Sequence, residues 1–292
     1  MAITLSYIMT TYNKVSYLKT TLPYLLEACK EDEEIVIVDG GSTDGTVDYL
    51  KDLWQHKKIH QFISEKDFGE AHGTNKAMLM ARGELIKIIT DDDVFDFELI
   101  MQAKQFLILN KNIDVLGFDG WGYNFSQKVF EKTNYIAGFK QWKERNTPFL
   151  FCGLSLLIRK ESLSHLGLLS TSFKIVDMEY TIRISSQKTK IAFCTAIGFV
   201  NIVTPSSNSQ KFYKIIREEQ KLLKKIYPAI TQRFKINHPI IVLKDKFKGL
   251  KKTKSNIIYN QEDHLNDYLI IVKNSIEKLK SDKKNNQYLF LV

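Results

Sequence analysis

Apolar residues recur along the first ninety positions in two alternating rhythms. Ile3 to Met9 is a run short enough for a buried strand, and Tyr17 to Cys29 then sets Leu18, Leu22, Leu25 and Leu26 at helical spacing. Ile35 to Val38 predicts a second strand, Thr46 to Trp54 a helix, Ile59 to Ile63 a third strand and Thr74 to Ala81 another helix. Leu85, Ile86, Ile88 and Ile89 predict a fourth strand. This βαβαβαβ rhythm implies an α/β fold with a mainly parallel sheet flanked by helices and joined by right-handed crossovers. Such sheets bind ligands beyond the carboxyl ends of their strands. Two polar clusters fall there: the turn-rich stretch Asp39 to Gly45, and the three carboxylates Asp91, Asp92 and Asp93.

From residue 113 the pattern loosens. Ile113 to Asp119 predicts a strand, Tyr123 to Thr133 a hairpin and Phe149 to Arg159 a further apolar segment. A helix is predicted over Lys160 to Leu166, ending near Gly167. Phe173 to Ser185 carries Asp177 and Glu179, with Ile182 and Ile184 on one buried helical face. Beyond a loop at Thr204 to Ser209, Lys211 to Tyr227 predicts a long basic helix and Tyr268 to Leu279 a terminal one. The chain therefore divides into an α/β unit over 1–205, itself split at 112, and a basic, mostly helical extension over 206–292. It contains no internal repeat.

Composition narrows the class. With 44% hydrophobic residues and only 14 Gly and 5 Pro in 292, the chain is neither disordered nor fibrous. Cys29, Cys152 and Cys194 are odd in number and lack C-x-x-C spacing, which points to a reducing compartment and away from a disulfide framework or zinc site. No basic segment and cleavage site precede Ile3, and no apolar run approaches the ~20 residues that span a bilayer, so a cytoplasmic location is expected. The net charge of +9 conceals a division: residues 1–200 hold 23 Lys and Arg against 25 Asp and Glu, residues 201–292 hold 19 against 8. Its densest part is Lys244 to Lys254, interrupted by Phe247 and Leu250. Such a stretch suits an anionic membrane surface, at about 1 kcal/mol per basic residue, and implies peripheral attachment to the inner face of the cell membrane. A solvated lysine-rich face is the simpler alternative. The scarcity of arginine in the run argues against nucleic acid.

Three adjacent carboxylates at a strand end call for a cation. Hard oxygen ligands suit Mg²⁺ or Mn²⁺, which keep waters and bind a substrate's phosphates in their remaining positions. The alternative is an acidic turn capping the next helix. Asp39 has a similar alternative as a turn initiator before Gly-Gly. Asp177 and Glu179 could be ordinary first-turn acidity, with Arg183 paired to Glu179 at i,i+4.

Taken in order, these segments resemble the motifs of the inverting glycosyltransferases of family 2, of the bacterial cell-surface polysaccharide type. Met9 to Asn13, Val38 to Thr46, Glu65 to Gly69, Asn75 to Ala77, Ala81 to Glu84, Asp91 to Asp93 and Ser172 to Arg183 carry the resemblance over roughly residues 3–200. It implies the Rossmann-like GT-A fold, with a nucleotide-sugar-binding half at 1–112 and an acceptor and catalytic half at 113–205. It implies donor contacts from Thr11, Tyr12, Asn13, Asp39, Asp67, Gly69, Asn75, Lys76, Asp91 and Asp92, with Asp39 accepting a base imide N–H such as uracil offers. Mn²⁺ or Mg²⁺ would be held by Asp93, Asp91 and Asp92. The register is open, since Thr90 replaces the first aspartate if the last two align with the family's Asp-x-Asp-Asp. Asp177 falls where the family places its general base.

The implied activity is hexosyl or N-acetylhexosaminyl transfer from a nucleotide-sugar, a UDP-sugar first, to a saccharide or lipid-linked saccharide. Thr10 in place of proline, His72 in place of aspartate and Thr74 in place of arginine depart from the pattern and bear on the sugar transferred. Acceptor specificity is expected in Gly117 to Pro148 and the C-terminal third, where the resemblance is poorest. A sugar-phosphate nucleotidyltransferase needs a Gly-rich loop after the first strand, and Met9 to Lys14 has no glycine. No G-x-G-x-x-G follows that strand either, which removes an NAD enzyme. The remaining alternative is a non-catalytic scaffold of the same fold that binds carbohydrate or nucleotide-sugar without turnover.

Overall fold

The computed structural model describes residues 2–125, 127–204, 207–230, 261–285 and 288–292, so the basic run 244–254 lies outside the described residues. Strands β1 (Leu5–Thr11), β2 (Glu33–Asp39), β3 (Gln61–Ser64) and β4 (Leu85–Ile88) lie parallel in the order β3-β2-β1-β4. Nearly every residue of β1 and β2 is buried, because helices cover both faces of the sheet. That is why these strands read as continuous apolar runs without alternation. Leu18, Leu22 and Leu25 of α1 (Val15–Ala28) and Leu50 of α2 (Thr46–Gln55) pack into the core on one face. Ala77 and Met78 of α3 (Glu70–Met80) pack into the other. Gly83, in the turn from α3 to β4, lies so close to β1 that a Cβ there would come within 2.7 Å of the Ser6 amide nitrogen.

Beyond β4 the sheet becomes mixed. The short β5 (Val94–Phe95) leads to α4 (Phe97–Leu109), which is capped by Asp96. Strand β6 (Val115–Asn124) turns into β7 (Val129–Lys132) as the expected hairpin, followed by α5 (Tyr135–Arg145). Strand β8 (Leu157–Arg159) then inserts antiparallel between β4 and β6. After α6 (Leu163–Leu166) and α7 (Val176–Ser185), β9 (Ile191–Val203) runs parallel to β6. The parallel arrangement inferred from the βα rhythm thus holds for β1 to β4, where the crossover helices dictate it. The later strands return antiparallel except at the β6–β9 pairing.

The apolar–polar pattern assigns no element to β9, although it is the longest strand. Its residues are almost all buried, and an unbroken apolar run does not distinguish strand from helix by period. Arg159, 2% exposed, ties the central strands together: its guanidinium donates to the Ile113, Leu107 and Asn110 carbonyls and to Glu84 Oε1 at 2.7 Å. Such a buried charge is tolerated because each face of the fork meets an acceptor.

The C-terminal helices are α8 (Asn208–Lys211), α9 (Tyr213–Ile226) and α10 (Gln261–Asn285), and β10 (Phe290–Leu291) adds to the sheet beside β9. Tyr268, Ile271, Val272 and Leu279 of α10 join Val94, Val200 and Ile202 in one core cluster. Ile216 and Leu223 of α9 pack on Ile175 and Ile182 around α7. Residues 265–279 of α10 therefore bury apolar surface against the α/β unit. No helix among the described residues is long and apolar enough to cross a membrane.

Candidate active site

The carboxyl ends of β1, β2 and β4 bring the first two polar clusters together. At the end of β2, Asp39 is fully buried; its Oδ2 accepts Gly41 N and Ser42 N at 2.9 Å each and Ser64 Oγ at 2.7 Å, and Ser42 Oγ donates to Oδ1. This ring of donors folds the Gly41–Gly45 turn, whose Gly41 sits at φ +85. Asn13 laces the β1 loop to the same turn, donating N–H to Ser42 Oγ at 2.7 Å and accepting Thr43 N at 2.8 Å. Tyr12 beside it is 59% exposed at the rim.

The three aspartates after β4 divide by direction. Asp93 turns inward, accepting Thr90 Oγ1 at 2.6 Å, Ile202 N at 2.6 Å and Asn201 Nδ2, which pins the loop to β9. Asp91 accepts Thr11 Oγ1 at 2.7 Å, while its backbone carbonyl accepts Thr21 Oγ1 from α1. Asp92 pairs with Lys14 Nζ at 2.5 Å, and Lys14 also lies 4.6 Å from the Tyr17 ring centre. None of the three caps the following helix. Asp96 does, accepting Glu98 N at 3.0 Å and Leu99 N at 3.1 Å.

Burial pushes the Asp91 carboxyl well above the usual carboxylate range, against the pull of Lys14; Asp92 adds to the rise, and the Thr11 hydrogen bond opposes it. Burial and then Asp92 push Asp93 up as well. Burial alone would depress the Lys14 ammonium, but Asp91 and Asp92 hold it above the ordinary lysine range. The carboxyl oxygens of Asp91 and Asp92 are hard donors of the kind that suit Mg²⁺ or Mn²⁺, and an ion there would have to displace the Lys14 ammonium from Asp92. Among the described residues no group of three or more His, Cys, Asp or Glu forms a metal cluster, so further ligands would come from donor phosphates and water.

Asp177 enters from the second half, in the first turn of α7. Its Oδ2 accepts Gly153 N at 3.1 Å and its Oδ1 accepts Met178 N at 2.8 Å. Burial raises its pKa, and these two N–H groups oppose the rise. Gly153 belongs to a 3₁₀ turn over Gly153–Ser155, whose Leu154 carbonyl accepts Lys87 Nζ at 2.6 Å from β4. Lys87 is fully buried, and burial lowers its pKa to about 7. Glu179 forms the i,i+4 pair with Arg183 at 2.7 Å, and Arg183 also donates to the Leu166 and Leu168 carbonyls.

Glu70, the first residue of α3, stands between the two groups. Desolvation of its carboxyl raises its pKa, the 3.0 Å hydrogen bond from Asn208 Nδ2 lowers it, and the charges of Asp177 and Asp92 raise it again. Asp177 and Asp92 therefore both lie within electrostatic reach of Glu70.

The remaining predicted donor residues have protein partners. Asp67 Oδ1 accepts Gly69 N at 2.8 Å, organising the loop into α3. Asn75 exchanges both amide bonds with the Leu169 peptide, at 2.8 and 2.9 Å, and so joins α3 to the segment before α7. Lys76 pairs with Glu65 at 2.6 Å. His72 Nδ1 accepts Phe68 N at 3.3 Å, closing that loop locally. Lys14, Glu70, Gly153 and Tyr268 escaped the sequence reading. Tyr268 donates its hydroxyl to the Asp92 carbonyl at 2.8 Å and packs edge-on against Tyr17. A polar residue within the Asn13 loop was the only available signal for Lys14; nothing near Tyr268 signals a contact 176 residues away.

Comparison with known proteins agrees with this architecture. The family model described as Glycosyl transferase family 2 matches residues 6–167. A stretch of 135 residues is 27% identical to the glycosyltransferase GlyG of Streptococcus pneumoniae, covering 46% of this chain and 44% of that protein. Another of 104 residues is 30% identical to TuaG of Bacillus subtilis, named for teichuronic acid biosynthesis, covering 35% and 41%. The chain thus spans under half the length of these curated relatives. Among solved structures, S. aureus TarS 1–349 in complex with UDP-GlcNAc aligns with TM-score 0.57 at 17% identity, over 76% of this chain and 67% of that one. The mannosyltransferase PcManGT from Pyrobaculum calidifontis in complex with GDP-Man and Mn²⁺ aligns with TM-score 0.56 at 17% identity, over 92% and 86%. These two likenesses are of fold. With more than half its length matched, the chain belongs to glycosyl transferase family 2.

Proposed function

We propose that this chain transfers a sugar, with inversion at the anomeric carbon, from a UDP-sugar to a hydroxyl of a saccharide or lipid-linked saccharide, with Asp177 as general base. The observation that supports this reading is the placement of Asp39 and Asp91–Asp93 beyond the carboxyl ends of β2 and β4, with Asp177 and Asp92 both acting on the charge of Glu70. An acceptor hydroxyl has a pKa far above neutrality, so it needs a base on the face opposite the leaving group. Asp177 takes its proton as the oxygen bonds to the anomeric carbon, and the bond from that carbon to the diphosphate breaks with its electron pair on the nucleotide. The raised Asp177 pKa makes this carboxylate a stronger base than an exposed aspartate.

On the donor side, Asp39 and the Asn13 loop would hold the nucleoside end and Asp91 and Asp92 the divalent ion, while Asp93, expected among the ligands, bonds to β9 and fixes their loop. Bound Mn²⁺ or Mg²⁺ supplies Lewis-acid neutralisation of the diphosphate. The Lys14 ammonium beside Asp92 adds fixed positive charge to the same pocket. Peripheral attachment at the cytoplasmic face through 244–254 completes the reading. Liposome flotation tests it, the expected result being a preference for anionic over neutral vesicles that fades with salt.

The experiment for the reaction is a panel of UDP- and GDP-sugars with Mn²⁺, followed for free nucleotide and for donor binding. Release that requires metal and Asp177 supports the reading. Donor binding without release from any member, across acceptor saccharides, would replace it with the non-catalytic scaffold.

A further inference from the structure

We propose that Glu219, on a helix beyond the segment matched to the family, is a positioning residue that holds Asp177 in register for proton abstraction. The inference rests on Asp177 as the base. Helix α7 begins at Val176, and its N-cap, Ile175, makes no side-chain capping bond. The first amides of a helix have no partner within it and need one from elsewhere. Glu219 supplies one from α9 for the N-cap amide and for the amide before it: both carboxylate oxygens accept Lys174 N at 2.9 Å, and Oε2 accepts Ile175 N at 3.0 Å. A carboxylate at this place is favoured twice, by charge-assisted bonds and by the positive end of the helix.

The contact is anchored on both sides. Ile216 and Leu223 of α9 pack against Ile175 and Ile182, and Gln220 Nε2 approaches Met178 Sδ at 3.8 Å. The peptide groups that Glu219 grips lie two and three residues before Asp177. Their placement sets where α7 starts and hence where the Asp177 carboxyl meets Gly153 N. Without Glu219 the amides that lead into α7 lose their acceptor and the start of the helix frays. A displacement of ~1 Å at a catalytic group can lower a rate by about 10²-fold.

The test compares wild type, Glu219→Ala and Glu219→Gln as full chains. One arm measures UDP release from UDP-GlcNAc with Mn²⁺, water standing in for the acceptor. The other measures amide hydrogen exchange over residues 172–180, which needs no turnover. For Glu219→Ala we expect faster exchange at 174–178 with the central strands unchanged, and kcat about 10–100-fold lower at unaltered donor KM. Its acid limb should move to lower pH as Asp177 becomes solvated. Glu219→Gln, which keeps one carbonyl acceptor, should recover most of the rate. Wild-type exchange at 174–178 in Glu219→Ala, or faster exchange with kcat and acid limb unchanged, would overturn the proposal. If wild type releases no nucleotide from UDP-GlcNAc or from any sugar of the panel across acceptor saccharides, the catalytic reading loses its support, while the exchange arm still decides whether Glu219 holds this turn.

Discussion

The Asp39 turn and the first turn of α7 are held by contacts of different range. Asp39 accepts amides two and three residues ahead of it, in a turn the chain closes on itself. Asp177 depends on Gly153, 24 residues back, and its helix is secured by Glu219 from 44 residues beyond Ile175. On the donor side the Asp39 turn is closed in this local way, whereas the aspartate loop is tied across the fold to Thr11, Thr21, Ile202 and Tyr268. The acceptor side is assembled from segments that hold one another. Damage at the Asp39 turn should therefore stay local and change binding, whereas damage around Asp177 should spread along its supports and change the rate.

The largest effect is expected at the base. Asp177→Asn keeps an acceptor for Gly153 N but cannot take a proton, and nucleotide release should fall by about 10²–10⁴-fold. Rate against pH in the wild type should drop on the acid side above the usual carboxylate range, because the raised pKa means protonation sets in early. Release that survives in the variant would remove the base assignment.

On the donor side, Asp92→Asn should lower Mn²⁺-dependent release by about 10²–10³-fold and leave the fold intact, its circular dichroism unchanged. EDTA should abolish wild-type release and change the variant little. Full activity in EDTA would sink the metal's part.

Lys87 tests the supports. The unfolded chain keeps this proton to about 10.5 while the folded chain loses it near 7, so unfolding takes up a proton between those values. Stability should thus rise with pH across that window, by roughly 4–5 kcal/mol in all, and Lys87→Met should lack that increment. Parallel stability curves for the two proteins would show that Lys87 is not held neutral. Losing the bond to Leu154 should also lower kcat through the Gly153 turn, with donor KM unchanged. The smallest effect belongs to Tyr268→Phe. It leaves the Asp92 carbonyl without its 2.8 Å donor, costing about 1 kcal/mol of stability in urea titration and weakening metal affinity only slightly.

The same difference in range governs what the sequence reveals. The β1–β4 rhythm, the Asp39 turn and the aspartate cluster are all legible because period, turn chemistry and charge are local properties. Even there, the fine roles are not. The cap of α4 proves to be Asp96, and Asp93 faces β9 through partners more than a hundred residues away. Asp177 stands out only through its motif, since nothing around it announces Gly153. Strand β9 stays hidden because burial on both faces erases its period. Lys87 reads as one polar residue in an apolar strand, and its partner carbonyl is 67 residues downstream.

The division between a binding side and a chemical side is tested most directly by calorimetric titration of UDP-sugar with Mn²⁺ into Asp177→Asn and Asp92→Asn, beside the wild type. The predicted result is wild-type donor affinity in Asp177→Asn and a loss of at least about tenfold in Asp92→Asn. Equal losses in the two variants, or undiminished affinity in Asp92→Asn, would contradict it.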